Sequence, residues 1–432
     1  MKEEFLHYLW EFQKWNGNGL LTSEGSPLQV LSPGVHNFSS GPDFFNSQLV
    51  IGEQKWAGNV EIHLNSSDWY AHHHQTDTSY DNVILHVVWN HDAEVFRKDN
   101  SPIPVLEVEA VIARNAIANY EHLMKGPPGK WINCEEDFRE FEEFHLQSWL
   151  ERLYLERLEE KTAFIEKLLK GSENDWEQVL FKLLAKNFGL NLNGEAFLSL
   201  AESVPFSLIR RLASDQKGLE AVFLGQAGFL ETASPPFERG GDAHYRALRE
   251  IYRFLKYKHS LQNTGVMPMV FFRLRPDNFP NIRLSQLASL YHKTPRLFSE
   301  VINAENTEEL YKLLNISASE YWETHYTFRK AHKRRRKAVS RNFMDLLIIN
   351  SLVPLKFCYA KAMGKDINEK LLGLMGSLPR ELNNITRGFE GLRGKVFENA
   401  LQSQALLQLK KHYCDNHQCL KCRLGVQLLQ RS

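Results

Sequence analysis

Much is missing from this 432-residue chain. Its 52 lysines and arginines are matched by 52 aspartates and glutamates, so the formal net charge is zero. No global basic field therefore advertises nucleic acid, and any such partner would need a local patch. Cysteine is scarce, with five in all. An odd number, three of them clustered at 414–422, argues against a secreted disulfide scaffold and for a reducing compartment. No apolar run of about 18 residues stands out, so no membrane span is expected. The start, MKEEFLHYLWEF, is acidic and amphipathic and has no signal-peptide core, which leaves a cytoplasmic protein as the expectation. There is no serine nucleophile elbow, Walker motif or dinucleotide fingerprint. The stretch GLEAVFLGQAGFLE at 218–231 lacks a P-loop lysine, and its glycines suit close helix packing. Cys134 has no histidine near it in sequence to activate it as a nucleophile.

What is present is the composition of an ordinary globular protein, 43% hydrophobic and 24% charged, in a length that suits two or three domains. Residues 3–15 read as a helix with Phe5, Leu6, Leu9 and Phe12 on one face. Strand-like runs follow at Leu28–Leu31, Asn46–Ile51, Trp56–Leu64, Asn82–Trp89 and Pro104–Ala110, punctuated by Pro33, Gly34, Gly41, Pro42 and Gly58. A helix is expected near 111–124, and GPPGK at 126–130 reads as a linker. Beyond it, helical periods recur over 138–170, 175–188, 195–203, 217–227, 242–257, 283–293, 341–361 and 394–411. The expected class is α+β, with a mixed α/β domain at 1–125, a linker at 126–137 and a mostly α-helical region at 138–432 that ends in the cysteine cluster.

Five groups of residues carry chemistry. The first is Asp43, Glu61 and His63. In a strand, residues i and i+2 share a face, so Glu61 and His63 point the same way and Asp43 could meet them from the neighbouring strand. Two carboxylates and a polar neighbour suit Mg²⁺ or Mn²⁺ in phosphodiester hydrolysis. Ordinary salt bridges and a Gly41-Pro42-Asp43 turn are the plainer reading. The second group is the histidine-rich stretch 66–81, where His72, His73, His74, Asp77 and Asp81 could ligate a transition metal, with His86 facing the same cleft. Three adjacent histidines cannot all face one ion, and Asp68 could simply cap a helical turn. The third is Cys414, Cys419 and Cys422 with His412 and His417 nearby, and Cys134 as a distant fourth donor. Three thiolates plus one more ligand would hold Zn²⁺ as a structural staple.

The fourth group is the basic run Lys333, Arg334, Arg335, Arg336 and Lys337, which could track a phosphate backbone or form a solvated face. The fifth is RLRPDNFPNIR at 273–283, where Arg273, Arg275 and Arg283 could clamp an anion or brace a proline-rich junction through buried ion pairs.

Asp43 followed by a hairpin and Glu61-x-His63 resembles the PD-(D/E)XK nuclease superfamily over about the first 110 residues. His63 stands where that superfamily has a lysine that orients or activates the attacking water. The resemblance implies Asp43 and Glu61 as metal ligands and points to a helical glutamate, Glu11, near the metal. Some nucleases of that superfamily also close an iron–sulfur cluster with one upstream and three C-terminal cysteines, at spacings different from those here. Over nearly its full length, the chain also resembles a bacterial family of unknown function, through GPDF at 41–44, WAGNVEIH at 56–63, SSDWY at 66–70, VILHVV at 83–88, LRPDNFP at 274–280 and the cysteine cluster. Three readings follow. One is a divalent-metal-dependent nuclease. The second is a non-catalytic nucleic-acid-binding or assembly protein on a decayed nuclease fold. The third is a histidine-ligated hydrolase of small molecules that uses His63, His72 or His74, and His86.

Overall fold

The computed structural model describes residues 2–16, 19–37, 39–112, 114–124, 129–231, 242–328, 330–394 and 396–430. The chain forms a mixed sheet near its N-terminus and is mostly helical beyond it. It divides into two compact units, 1–149 together with 409–432, and 150–408. A boundary at 125–138 was expected from the change in periodicity. The contacts place it instead between Trp149 and Leu150, and they return the cysteine-bearing C-terminal segment to the sheet unit. Of the expected linker, residues 126–128 lie outside the described residues, while Phe138 and Phe141 are buried core residues.

In the first unit, helix α1 (Glu3–Glu11) precedes strands β1 (Leu20–Leu21), β2 (Pro27–Ser32), β3 (Val35–His36), β4 (Phe44–Ile51) and β5 (Gln54–Asn65). A crossover containing helix α2 (Asp68–Ala71) and two short 3-10 turns leads to β6 (Val83–Asn90), then β7 (Val105–Glu107) and helix α3 (Arg114–Met124). The seven strands run in the order β1-β2-β4-β5-β6-β7, with β3 beside β4. Pairing is antiparallel from β1 to β5 and parallel for β5–β6 and β6–β7.

The sequence shows why β6 lies inside the sheet. In VILHVVWN, Val83 to Val88 are all buried, as expected of a parallel strand covered on both faces. Trp69, Tyr80, Val83, Val88, Val95, Ile103 and Val105 form one apolar cluster under the crossover. Helix α1 buries Phe5, Leu6, Tyr8, Leu9 and Trp10. It ends at Glu11, short of the expected 15, as Gln13 turns to φ 50°. A bulge between Phe44 and Ser47 shifts the β4–β5 register by one residue, and Asn46 sits there at φ 59°. Such bulges re-aim neighbouring side chains, and this one follows Asp43 directly.

The second unit is helical throughout its core. Helices Trp176–Phe188, Gln216–Gln226 and Pro280–Lys293 are buried along much of their length. The run 341–362 is long and apolar enough to cross a membrane, which the sequence reading had passed over. It is 78% buried inside the protein, as a core helix is, and it contains a π-helical segment at Ile348–Leu352 just before Pro354. The short helices Phe206–Leu212, Leu297–Asn303, Thr307–Leu314, Asn368–Ser377, Asn384–Arg393 and Arg423–Leu429 were not expected from periodicity. Each has ten residues or fewer, too short for a 3.6-residue pattern to stand out.

Gly58 is required where β5 and β6 meet. A Cβ there would lie 2.4 Å from Ile84 Cγ2 and 2.7 Å from the Asn82 carbonyl oxygen. Gly58→Ala is expected to destabilise the first unit by about 1–3 kcal/mol through overpacking. Gly373→Ala, on a helix with open space at the Cβ, should be neutral or slightly stabilising. Denaturant unfolding of both variants checks the contrast.

Candidate metal centre

Glu61 and His86 are directly opposed across the parallel β5–β6 pair, and His63 lies two residues beyond Glu61 on the same face. All three are buried. Asp43 enters from the start of β4, and the two carboxylates clamp the strands to each other. Glu61 Oε2 accepts the Asp43 N–H at 3.1 Å, and Asp43 Oδ2 accepts the Ile62 N–H at 3.0 Å. The structure therefore brings Asp43, Glu61 and His63 into one place.

The other Glu61 oxygen faces imidazoles. Oε1 lies 3.4 Å from His63 Nε2 and 3.2 Å from His74 Nε2. His72 Nδ1 lies 3.1 Å from His63 Nε2. The candidate ligand atoms of His63, His72 and His74 all fall within 4.8 Å of one another. Donors about 2.0–2.1 Å from a tetrahedral ion sit roughly 3.3 Å apart, which matches the three measured separations. His63 Nδ1 meets His86 Nε2 at 2.8 Å, a contact of the kind that orients a ligating imidazole from behind.

The crossover sorts its residues by turn geometry. Helix α2 and the 3-10 turn His74–Thr76 aim His72 and His74 at His63, His72 from an exposed position and His74 from a half-buried one, while His73 sits exposed between them at φ 62°. Asp77 caps the turn Thr78–Tyr80 through Ser79 N–H, Asp68 Oδ2 accepts the Asn65 N–H, and Asp81 is exposed. Tyr80 stacks on His74 with centroids 3.7 Å apart, and Trp69 walls the site against His74 and His86.

Helix α1 supplies two residues that the sequence reading did not single out for the site. His7 Nε2 lies 3.4 Å from Asp43 Oδ2 and 3.9 Å from Glu3 Oε1. The i, i+4 spacing of Glu3 and His7 was the available signal. Glu11, the expected helical glutamate, is exposed and lies 3.7 Å from His36.

The electrostatics reflect crowded, buried groups. Burial, and then the neighbouring Asp43, push the Glu61 carboxyl well above the usual range, against the Asp43 backbone hydrogen bond. Burial first and Asp43 second raise Glu3 to about 7. Burial, with help from the other histidines, lowers His63 to about 3, His74 to about 4 and His86 well below its ordinary value. These imidazoles are thus held neutral, the form that ligates metals. His7 Nε2, His74 Nε2 and His86 Nδ1 are buried with no hydrogen-bond partner. Orphaned buried polar atoms cost about 1–3 kcal/mol each, and coordination would relieve that cost at a ligating nitrogen. The donor set fits a cation.

A second cluster lies in the same unit. Cys134, Cys414, Cys419 and Cys422 line one cavity with Leu123, Ile132, Phe138, Tyr413 and Leu424. None of the five cysteines is in a disulfide, and the fifth, Cys358, lies in the helical unit. His417 turns to Asn133 Oδ1 at 3.3 Å, and neither His417 nor His412 lines the cavity. Burial pushes the Cys419 thiol up to about 12 and those of Cys134 and Cys414 further, each with added repulsion from the other cysteines.

In the helical unit, the basic run is extended and largely neutralised. Arg334 pairs with Glu323 at 2.8 Å and Glu320 at 3.3 Å, and Arg335 pairs with Asp277. Lys337 is buried and donates to the carbonyls of Trp322 and His325. Lys333 and Arg336 are exposed, with no ion pair among the described residues. Arg283 is buried over the Phe343 ring at 3.6 Å, donating to Gln286 and Asn278, so it braces a junction instead of clamping an anion.

The fold and clusters define an α+β protein with an imidazole–carboxylate centre on a mixed sheet. Residues 3–384 match the model of a family described as "Protein of unknown function (DUF2851)", and the chain belongs to that family. No curated protein matches it, and no solved structure does.

Metal titration should report one strong site for Zn²⁺ or Mn²⁺ that is lost in His63→Ala and His74→Ala. His86→Ala should weaken it by about 10–100-fold, as loss of an outer partner does. A pH dependence also follows for chelator-treated protein. Above the ordinary glutamate value of 4.5, the unfolded chain releases a proton that folded Glu61 keeps, so stability falls as pH rises. Buried His63 and His74 oppose this only below about 6.5, where the unfolded imidazoles gain protons. Between pH 7 and 9, Glu61→Gln should therefore flatten the decline, and the melting shift given by added metal should grow with pH in the wild type. Thermal melts across pH, with and without metal, read both effects.

Proposed function

We propose that this protein is a metal-dependent hydrolase of phosphodiester bonds in nucleic acid, with His63, His72, His74 and Glu61 as the metal-holding residues. The observation that carries the reading is the convergence of one nitrogen each from His63, His72 and His74 within 4.8 Å of one another, with Glu61 Oε1 3.4 Å from His63 and 3.2 Å from His74. Imidazole suits zinc and similar ions better than magnesium, so we favour Zn²⁺ or Mn²⁺ over the Mg²⁺ expected from the nuclease motif. A bound ion would supply Lewis acidity to a phosphoryl oxygen and to the attacking water. Asp43 locks Glu61 in orientation through its backbone N–H, and its own carboxylate, beside His7, can accept a proton at the edge of the centre.

Support for a phosphodiester substrate comes from Asp43 at the mouth of a hairpin and Glu61-x-His63 on its second strand. His63 then acts as a ligand and does not stand in for the nuclease lysine. Lys333 and Arg336, the exposed cations of the basic run with no ion pair among the described residues, are the ones most available to phosphates. Five cysteines outside any disulfide and a largely buried apolar helix fit a cytoplasmic location.

The test is cleavage of single- and double-stranded DNA and RNA with Zn²⁺, Mn²⁺ or Mg²⁺. Glu61→Gln and His74→Ala should lower kcat by at least about 100-fold, the scale of losing a group that stabilises the transition state. Lys333→Ala with Arg336→Ala should weaken binding and its salt dependence more than the same change at Arg334 and Arg335. Binding without cleavage, unchanged by Glu61→Gln, would favour the non-catalytic reading.

A further inference from the structure

We infer that the helical unit carries a separate anion site, a pocket that takes the phosphate group of a phosphomonoester between Arg275 and Arg336 over a floor formed by Arg283. The pocket, of about 260 Å³, lies where the LRPDNFP segment meets the basic run. Every residue that lines it belongs to the second unit, so it shares none with the imidazole–carboxylate cluster. Charge is the first sign. Five cations and one carboxylate line the pocket. That carboxylate, Asp277, is taken by Arg335. Lys337 turns its ammonium to the carbonyls of Trp322 and His325. Arg275 and Arg336 are exposed, with no ion pair among the described residues. Two guanidinium groups are thus left to close on one oxyanion, a group they match with paired N–H donors.

Arg283 is the second, independent sign of a ligand. It lines the same pocket, is only 6% exposed, and pairs with no carboxylate among the described residues. Its terminal nitrogens brace the junction through Gln286 and Asn278, so the clamp is made by the other two arginines. Its Nε is buried with no hydrogen-bond partner. A buried guanidinium without a counter-ion is costly, and an N–H left over adds to the cost. Burial lowers Arg283 to about 10, against the pull of Asp277, so it stays charged at neutral pH. An anion in the pocket would supply both the missing counter-charge and the missing acceptor.

The neutral groups point to the class of anion. Asn278 Oδ1 accepts from Arg283 Nη2 at 2.6 Å, so its NH2 group remains a donor. Ser340 Oγ accepts the Phe343 N–H at 3.3 Å, so its hydroxyl proton remains to be given. Both residues line the pocket. Guanidiniums, an amide NH2 and a hydroxyl, around a carboxylate already spent, suit a ligand that only accepts. A carboxylate offers two oxygens, and a phosphodiester carries one charge. A phosphomonoester offers three terminal oxygens and nearly two charges at neutral pH, which matches this many donors best.

The experiment is calorimetric titration of the full chain at fixed ionic strength with three probes: inorganic phosphate, a terminally phosphorylated dinucleotide, and the same dinucleotide without its terminal phosphate. Chelator is present throughout, so that no metal at the imidazole cluster can take the phosphate. One site is expected for each phosphorylated probe. Binding should weaken at least about tenfold in Arg275→Ala and in Arg336→Ala, the scale of losing one charge-assisted hydrogen bond. It should stay nearly unchanged in Arg334→Ala, whose guanidinium is paired with Glu320 and Glu323 and does not line the pocket. Arg283→Lys, which keeps the charge and removes the Nε–H, should also weaken it. If that variant is unstable, the two exposed arginines still decide. Equal affinity for the two phosphorylated probes would make a free or small phosphorylated molecule the ligand, and tighter binding of the dinucleotide would make it the phosphorylated end of a strand. No binding to the wild type would overturn the site, as would binding that survives both Arg275→Ala and Arg336→Ala. Equal binding of the dinucleotide without its terminal phosphate would overturn it too. The titration needs neither metal nor cleavage, so its failure and the failure of the hydrolase reading are told apart.

Discussion

The reciprocal clamp between Asp43 and Glu61 is the constraint on which the imidazole–carboxylate cluster depends. Each carboxylate holds a backbone N–H at or beside the other's position, fixing β4 against β5 just before the bulge. Because that work uses one oxygen of Glu61, the second is free to turn toward His63 and His74. The cost is a buried carboxyl beside another acid, which resists ionisation. A structure built only for stability would gain by replacing such a group with an apolar one. Its presence among neutral, partly orphaned imidazoles is the physical argument for a cation.

The first unit gathers two donor sets of different softness. Imidazole and carboxylate meet at the strands, and thiols meet in a cavity beyond α3. Neither set shares a residue with the other, and they suit different ions. In the helical unit, charge serves mostly for bracing. Arg334, Arg335 and Arg341 pair with acids, and Lys337 and Arg283 are buried on carbonyls, amides and aromatic faces. A run that reads as five consecutive cations thus leaves Lys333 and Arg336 exposed with no ion pair among the described residues, in keeping with a chain of zero net charge.

Much of this was legible beforehand. Strands β4, β5 and β6 were visible as β-branched and aromatic runs between turn residues, and the long helices as 3.6-residue periods, because local pattern fixes local structure there. The pairing of Glu61 with His63 followed from the two-residue repeat of a strand. The two-residue strands β1 and β3 and the short helices were invisible, since so few residues carry no period. Glu11 was expected at the site and Glu3 and His7 stand there, because helix phase relative to a sheet is set by packing, not by spacing along the helix.

The sequence by itself determined most of the element types and the α+β class, because propensity and periodicity are local. Only the tertiary structure decided which of three adjacent histidines face His63, that Cys134 and not a histidine joins the C-terminal thiols, and which cations of the basic run are already paired. Those choices rest on contacts between residues far apart in the chain, where a left-handed turn at His73 or a carboxylate at Asp277 settles what the local sequence leaves open.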